Sequence, residues 1–227
     1  MPFLTESYKR IQKEVSEHDA TLVAVTKTKP VSDIMEAYEA GHRDFGENYV
    51  QELVDKYEAL PKDIRWHFIG HLQSNKVKYI APFVHLIHGV DSEKLLAAIN
   101  KQGAKINRNI SCLLQVYISS EETKFGMDEQ ELEALFTKIS TNADQWKNIS
   151  VKGLMGMASF TEDNDLIIDE FSKLKKIYDK YKAQLSTIHS PFSILSMGMS
   201  ADYRFALENG SNMVRIGSLL FGSRIKQ

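Results

Sequence analysis

Short apolar runs alternate with amphipathic helical stretches along the whole of this 227-residue chain. An extra N-terminal helix is predicted near residues 8–17, and eight apolar runs follow it. The runs span residues 21–27, 44–48, 65–70, 86–90, 110–118, 151–158, 193–199 and 213–221. Strands that alternate with helices pair in parallel through right-handed crossovers. The pattern therefore predicts an α/β fold, a single (β/α)8 TIM barrel over residues 1–227, with a doubly wound sheet as the alternative.

Composition limits the kinds of function that are open to the chain. Its formal net charge is -2, so no strong overall field attracts it to nucleic acid or to an anionic membrane. Cys112 is the single cysteine, which excludes an internal disulfide and fits a reducing compartment. The chain has no apolar run of about 18 residues and no signal-peptide pattern at its N-terminus. We therefore expect a cytoplasmic protein without nucleic-acid or membrane partners.

The first apolar run ends at a lysine, Lys27, so this residue lies at the carboxyl end of the predicted strand. In barrels of this class the active site lies at the carboxyl ends of the strands. An amine held there can form a Schiff base with an aldehyde, and pyridoxal phosphate is the most common partner of this kind. Most lysines at strand ends are nevertheless solvated surface residues, so this strand alone does not decide the role of Lys27.

A phosphate site commonly follows the seventh and eighth strands of such barrels. In this chain the seventh run ends at Met199-Ser200, and the eighth contains Gly217-Ser218. Glycine lets backbone N–H groups approach an anion, and serine adds a hydroxyl, so the two ends together predict a phosphate site. Two structural alternatives remain open. Ser200 could cap a helix predicted over residues 201–208, and Gly217-Ser218 could be a kink at the barrel rim.

Two polar residues in the strands are candidates for contact with a cofactor ring. Arg215 lies inside the apolar eighth run, where a guanidinium is costly to bury unless it is paired. It is predicted either to form an ion pair with an acid such as Glu47 or to donate to the pyridine nitrogen of a cofactor. Asn48, at the end of the second run, is predicted either to position the ring or to cap the next helix.

The remaining chemically interesting side chains favour structural roles. His67 is predicted to be a satisfied core histidine, with a ligand-facing acid or base as the alternative, and Cys112 is predicted to be an inert core thiol. His67 and His71 lie four positions apart, and His85 and His88 three apart, with no third ligand in view. We therefore predict no metal site.

Six blocks of this sequence occur in an order that resembles the pyridoxal phosphate homeostasis proteins. The blocks are residues 24–30 (AVTKTKP), 45–52 (FGENYVQE), 66–76 (WHFIGHLQSNK), 153–155 (GLM), 196–200 (SMGMS) and 214–217 (VRIG). The third block is long and unusual, which makes it specific. The resemblance extends over nearly the whole chain.

The resemblance implies an alanine-racemase-type barrel that carries pyridoxal 5'-phosphate, a form of vitamin B6, as a Schiff base on Lys27. It implies that Arg215 lies by the pyridine nitrogen and that Asn48 lies near the ring. It implies phosphate contacts from four positions: Met199, Ser200, Gly217 and Ser218. The family often has threonine where this chain has Ser218, a change that keeps the hydroxyl.

The family also implies a cofactor carrier without catalytic residues or assigned turnover. We expect the chain to carry or buffer the cofactor for intracellular homeostasis, with apo forms of enzymes that require it as candidate partners. A pyridoxal-phosphate-dependent amino-acid racemase is the alternative, but it needs an acid or base on each face of the cofactor. Racemases of the related fold take the second base from an added domain of a partner subunit. We expect no such domain in this protein and therefore expect a monomer.

A Schiff-base aldolase is a third class of function, because Lys27 could act directly on the carbonyl group of a substrate. Such an enzyme would have no visible chromophore, whereas a protein loaded with pyridoxal phosphate absorbs visible light.

Overall fold

The computed structural model has a closed barrel of parallel strands, which confirms the predicted fold and excludes the doubly wound sheet. It describes residues 3–120, 125–185 and 192–222. Neighbouring strands pair in chain order, and the last strand pairs with the first. The strands are β1 (Thr21–Val25), β2 (Asp44–Glu47), β3 (Arg65–Phe68), β4 (Leu86–Val90), β5 (Ile110–Gln115), β6 (Ile149–Met155), β7 (Ile194–Ser196) and β8 (Met213–Ile216).

Helices alternate with the strands, as the amphipathic stretches predict. They are α1 (Thr5–Ser16), α2 (Val31–Glu39), α3 (Val50–Ala59), α4 (Val77–Ile80), α5 (Glu93–Lys105), α6 (Glu129–Thr141), α7 (Asn164–Leu185), α8 (Tyr203–Glu208) and α9 (Ser218–Phe221). The extra N-terminal helix, α1, is joined to α9 because the Leu4 N–H donates to the carbonyl oxygen of Leu220 at 2.8 Å. The two ends of the described chain therefore meet.

Several strands are shorter than the apolar runs that predict them. β1 ends at Val25, so Lys27 lies in the turn that follows the strand instead of within it. The run predicted over residues 213–221 is a four-residue strand followed by the short helix α9. The strand β8 and the helix α9 are both apolar because each buries side chains in the core. Hydrophobicity alone does not separate a strand from a short buried helix.

The barrel has an inner and an outer apolar layer. One buried cluster contains Val23, Leu86, Leu113, Met155 and Met213, one residue from each of five strands, and it fills the inside of the barrel. The larger cluster lies between the strands and the helices. Side chains alternate between the two faces of a strand. Arg215, two places after Met213 in β8, therefore also faces the inside of the barrel.

Cys112 belongs to the core, as predicted. It is a free, fully buried thiol, and burial raises its pKa to about 12, so it stays protonated and unreactive at neutral pH. Within the described part of the chain, no helix combines the length and the apolar character needed to cross a bilayer.

Gly153 is required by the close approach of two strands. The β5–β6 ladder shifts register between Cys112 and Leu113, and Leu113 pairs with Gly153. The backbone of Gly153 has φ +156°, and a Cβ added there would lie 1.8 Å from the carbonyl oxygen of Ile194. A backbone oxygen held in a strand cannot move aside as a flexible side chain can, so any larger residue must distort the β6–β7 contact.

We predict that Gly153→Ala lowers the free energy of unfolding by about 3 kcal/mol, because the new methyl group forces β6 and β7 apart. Gly41→Ala is the matched control. Gly41 has φ +94° but open space around its Cβ position, so its cost is limited to backbone strain of about 1 kcal/mol. Urea denaturation of both variants measures the difference. Equal losses in the two variants would contradict the steric explanation.

Candidate functional site

The carboxyl ends of the strands form one rim of the barrel, and the residues predicted for the site meet there. Lys27 follows β1 and is half-buried. β1 pairs with β2 on one side and with β8 on the other. Asn48 follows β2, and Gly217 with Ser218 follows β8. Barrel closure therefore places the candidate amine between the candidate ring contact and the candidate phosphate corner.

A buried ionic cluster supports the turn that contains Lys27. The Thr26 hydroxyl donates to Glu47 Oε1 at 2.5 Å, and Lys56 Nζ donates to the same oxygen at 2.7 Å. Lys56 Nζ also donates to the carbonyl oxygen of Thr26 at 2.7 Å. Glu47 is fully buried, and burial raises the pKa of its carboxyl group while the Lys56 ammonium opposes that change. The backbone just before Lys27 is thus held by an ion pair.

The backbone just after Lys27 is held as well. Thr28 has φ +64°, a left-handed conformation that costs a non-glycine residue on the order of 1 kcal/mol. Its N–H donates to Glu52 Oε1 at 2.6 Å, and Lys56 donates to the same atom at 2.6 Å. Lys29 Nζ donates to the carbonyl oxygen of Phe221 at 2.5 Å, which ties the turn to α9. The position of the Lys27 backbone is therefore fixed from both sides.

The sequence does not predict this cluster. It indicates Glu47 only as a partner for Arg215, and it assigns no role to Lys56. One signal was available, because Glu52 and Lys56 are four residues apart in a predicted helix, a spacing at which a glutamate and a lysine contact each other. That spacing indicates a surface pair and gives no reason to expect a buried one.

Arg215 is buried inside the barrel and is held by uncharged acceptors. Its Nη1 donates to the carbonyl oxygen of Ser196 at 2.9 Å and to the hydroxyl of Ser196 at 2.6 Å. Its Nη2 donates to the carbonyl oxygen of Gly156 at 3.0 Å. Glu47 is bound to Lys56, so the predicted ion pair between Arg215 and Glu47 is wrong. Burial lowers the pKa of Arg215 to about 10, which still leaves the guanidinium charged at neutral pH.

One edge of the Arg215 guanidinium is available for a ligand. Nη1 makes two hydrogen bonds and so uses both of its protons, whereas Nη2 makes one. Across residues 3–120, 125–185 and 192–222, nothing accepts a hydrogen bond from Nε. Nε–H lies on the edge of the guanidinium group that it shares with one of the two Nη2 protons. A ring nitrogen or another acceptor could bind to that edge.

Ser200 and Gly217 come together at the other side of the rim. The N–H of Gly217 donates to the Ser200 hydroxyl at 3.2 Å and links the ends of β7 and β8. Ser200 does not cap the following helix, because α8 begins at Tyr203 and Asp202 occupies the N-cap position. The Asp202 carboxylate accepts the N–H of Met199 at 2.5 Å, so the backbone donor of Met199 is already in use. The helix predicted over residues 201–208 therefore begins two residues late.

This corner presents several unpaired backbone donors. The N–H groups of Ser200, Ala201, Ser218 and Leu219 have no acceptor among the described residues. Converging backbone N–H groups bind anions such as phosphate. The corner therefore has the donors that a phosphate group requires, and it supplies them without a lysine or an arginine.

Asn48 has an unused buried acceptor on the opposite side of Lys27. The following helix, α3, begins at Val50 with Tyr49 at its N-cap position and without a side-chain cap, so the predicted alternative of a helix cap is wrong. The Asn48 Oδ1 atom is buried, and no described group donates to it. Buried polar atoms are normally hydrogen-bonded, so this oxygen is suited to receive a donor from a bound ligand.

His67 is a satisfied core histidine, as predicted. It is buried, and its Nε2 lies 3.0 Å from Asp44 Oδ1 while its Nδ1 lies 3.0 Å from His88 Nε2. Among the described residues, no group of three His, Cys, Asp or Glu side chains is arranged to hold a metal ion.

Comparison with known proteins identifies the relatives of this chain. Residues 3–225 match the family described as alanine racemase, N-terminal domain. The chain is 39% identical over 227 residues to a pyridoxal phosphate homeostasis protein of Aquifex aeolicus, covering 97% of this chain and 96% of that protein. It is 38% identical to a pyridoxal phosphate homeostasis protein of Schizosaccharomyces pombe, with 95% and 89% covered.

Solved structures agree with these sequence relationships. The structure of PipY from Synechococcus elongatus with bound pyridoxal phosphate is 31% identical, has a TM-score of 0.85, and is matched over 96% of this chain and 99% of that chain. An alanine racemase from Bartonella henselae is 15% identical with a TM-score of 0.68, over 96% of this chain and 59% of that chain. The second similarity shows a common fold.

We predict that Lys56→Met lowers the free energy of unfolding by about 3–5 kcal/mol, because it leaves the Glu47 carboxylate buried without its cation. The double variant Lys56→Met/Glu47→Gln is the control. It removes the Glu47 charge together with the Lys56 charge, so it should recover a large part of the lost free energy of unfolding. Urea denaturation of the wild type, both single variants and the double variant measures the coupling. Additive losses would contradict a buried ion pair.

Proposed function

Because the chain belongs to the alanine racemase N-terminal domain family, and within it to the pyridoxal phosphate homeostasis proteins, we propose that it binds pyridoxal 5'-phosphate through a Schiff base on Lys27. The observation that carries the proposal is the convergence of three features at one rim. These are the half-buried Lys27, the unpaired N–H groups of the corner formed by Ser200 and Ser218, and the available edge of Arg215.

The phosphate group would bind at the corner where β7 and β8 end. Its oxygens would accept from the backbone N–H groups of Ser200 and Ser218, while the hydroxyl of Ser218 is exposed and able to rotate toward them. The Ser200 hydroxyl already accepts from Gly217, and its own proton remains available. Met199 would contribute through its position in the turn, because its N–H is bound to Asp202.

The ring would lie between β8 and β2. Arg215 would donate to the pyridine nitrogen from the edge that carries Nε, and Asn48 would accept through its unpaired Oδ1 from the far side of the ring. When bound, the cofactor would supply an aldehyde, and the Lys27 amine would condense with it to a C=N bond with loss of one water molecule. The ion pair below Lys27 keeps the backbone of the amine in place while this bond forms or hydrolyses.

We propose that the protein carries or buffers the cofactor and has no catalytic turnover. Arginine keeps its proton at neutral pH and gives it up to a ring nitrogen only with difficulty, so the ring in this site would be a weak electron sink. Relatives with 39% and 38% identity are named for homeostasis and not for an enzymatic reaction. In this proposal the protein acts as a cytoplasmic monomer, and enzymes that lack their cofactor are its recipients.

We predict that the purified protein mixed with pyridoxal phosphate gains a visible absorption band and that borohydride fixes the cofactor to Lys27. Peptide mapping by mass spectrometry should find the adduct on Lys27 and not on Lys29, whose ammonium is bound to Phe221. Lys27→Met should lose both the visible band and the adduct because it has no amine at this position. Lys78→Met, a change in the short helix α4, is the control and should retain both.

A protein that stays colourless with excess cofactor would refute the proposal. So would an adduct that maps to a lysine other than Lys27.

A further inference from the structure

A continuous line of buried polar side chains crosses the inside of the barrel from Arg215 to Asp44. Arg215 Nη1 lies 2.6 Å from Ser196 Oγ, which lies 3.2 Å from His88 Nδ1. His88 Nε2 lies 3.0 Å from His67 Nδ1, and His67 Nε2 lies 3.0 Å from Asp44 Oδ1. All five residues are buried. The line links five strands, so it is a property of the closed barrel and not of one segment.

The two ends of this line constrain the direction of its hydrogen bonds. Arginine can only donate, and an ionised carboxylate can only accept. Burial raises the pKa of Asp44, but hydrogen bonds from His67 and Arg65 outweigh it and hold the pKa well below its usual range. Asp44 is therefore ionised at neutral pH. With both histidine rings neutral, every bond in the line then points from Arg215 toward Asp44.

For neutral rings, that direction fixes which nitrogen of each histidine carries the proton. His67 must carry its proton on Nε2 in order to donate to Asp44, which leaves Nδ1 as an acceptor. His88 must then donate from Nε2 to that acceptor, which leaves its own Nδ1 to accept from the Ser196 hydroxyl. In this arrangement each ring carries its proton on Nε2, and each bond has one donor and one acceptor. Burial lowers the pKa of His88 well below its usual value, in agreement with a neutral ring.

The charged and titratable groups that face this line come from several elements. Arg65 donates to Asp44 from Nε at 2.7 Å. The ring of His85 lies 5.3 Å from the ring of His67, although none of the described hydrogen bonds joins His85 to the line. The charge of Asp202 raises the pKa of Arg215, against the larger effect of burial. His85 is therefore a histidine that lies beside the line without belonging to it.

The line has a consequence for the orientation of Arg215. The guanidinium is anchored by the Ser196 hydroxyl together with the carbonyl oxygens of Ser196 and Gly156. The carbonyl oxygens belong to the backbone, whereas the hydroxyl is aligned by His88 and, through His67, by the negative charge of Asp44. Hydrogen bonds in such a sequence strengthen one another in a low-dielectric interior. The Ser196 hydroxyl is therefore the third contact that holds the guanidinium of Arg215. All three contacts are made by Nη1 and Nη2, so Nε can donate to a ligand.

We propose that Ser196, His88 and His67 are positioning residues that orient Arg215 toward the pyridine nitrogen of the bound cofactor. The inference rests on the proposed function. It extends the site from the rim into the barrel and assigns a role to three residues that do not touch the cofactor.

The first test uses the wild-type protein without cofactor and needs no variant. Nitrogen-15 NMR of the histidine rings distinguishes the two neutral forms from each other and from the cation. Both His67 and His88 should be neutral with the proton on Nε2 at pH 7.5. A cation, or a proton on Nδ1 of either ring, would overturn the inference because the line would not run from Arg215 to Asp44.

The second test cuts the line at Ser196→Ala, which removes the hydroxyl but keeps the backbone carbonyl anchors of Arg215. We expect about tenfold weaker binding of pyridoxal phosphate, together with a shifted visible band and a changed Nδ1 resonance of His88. His85→Asn is the matched control and should bind as the wild type does. A structural role for Ser196 alone would lower thermal stability without moving the visible band.

The outcomes separate this inference from the proposed function. If wild-type protein acquires no visible band or Lys27 adduct, the proposed function fails and the positioning role fails with it. If the wild type does bind on Lys27 but Ser196→Ala keeps the wild-type affinity and spectrum, the positioning role alone is overturned. Weaker binding and a shifted band in Ser196→Ala, with His85→Asn unchanged, support it.

Discussion

Pairing of β1 with β8 closes the barrel, and the arrangement of the candidate site depends on that closure. In this ladder Val23 pairs with Arg215, and Ala24 pairs with Ile216. The pairing brings the turn that contains Lys27 next to Gly217, although nearly the whole chain separates them in sequence. In an open sheet with the same strand order, β1 and β8 would be opposite edges. The arrangement of the site therefore depends first on the order in which the strands pair, and only then on its individual side chains.

The barrel buries two cations in different ways, and the difference fits their proposed roles. Lys56 is neutralised directly by Glu47, so its charge serves to hold the backbone before Lys27. Arg215 receives only uncharged acceptors in its immediate surroundings, and a carboxylate lies at the far end of a hydrogen-bonded line. A carboxylate bound to the fork of Arg215 would occupy the edge that a ligand needs. The more distant counter-charge leaves that edge available.

The sequence predicts the barrel, and it predicts Lys27 as the candidate amine, because both follow from local periodicity and from the rule that sites lie at strand ends. It does not predict the contacts between elements. The predicted alternative of a Glu47–Arg215 pair is wrong, since a buried pair such as Glu47–Lys56 depends on how a helix packs on a strand. The predicted start of α8 is also wrong, because Asp202 and not Ser200 occupies the N-cap position. Which of several polar groups pairs with a given partner depends on distances in the folded structure. The hydrophobic pattern of the sequence carries no information about those distances.

The central claim is that Lys27, Arg215 and the corner formed by Ser200 and Ser218 constitute a single cofactor site. A crystal structure of the protein grown with pyridoxal phosphate tests it most directly. We predict continuous density from the Lys27 amine to the cofactor, with the ring nitrogen against the Nε edge of Arg215 and the phosphate against the Ser200 and Ser218 backbone. Cofactor bound at another lysine, or a phosphate group bound away from this corner, would contradict the account.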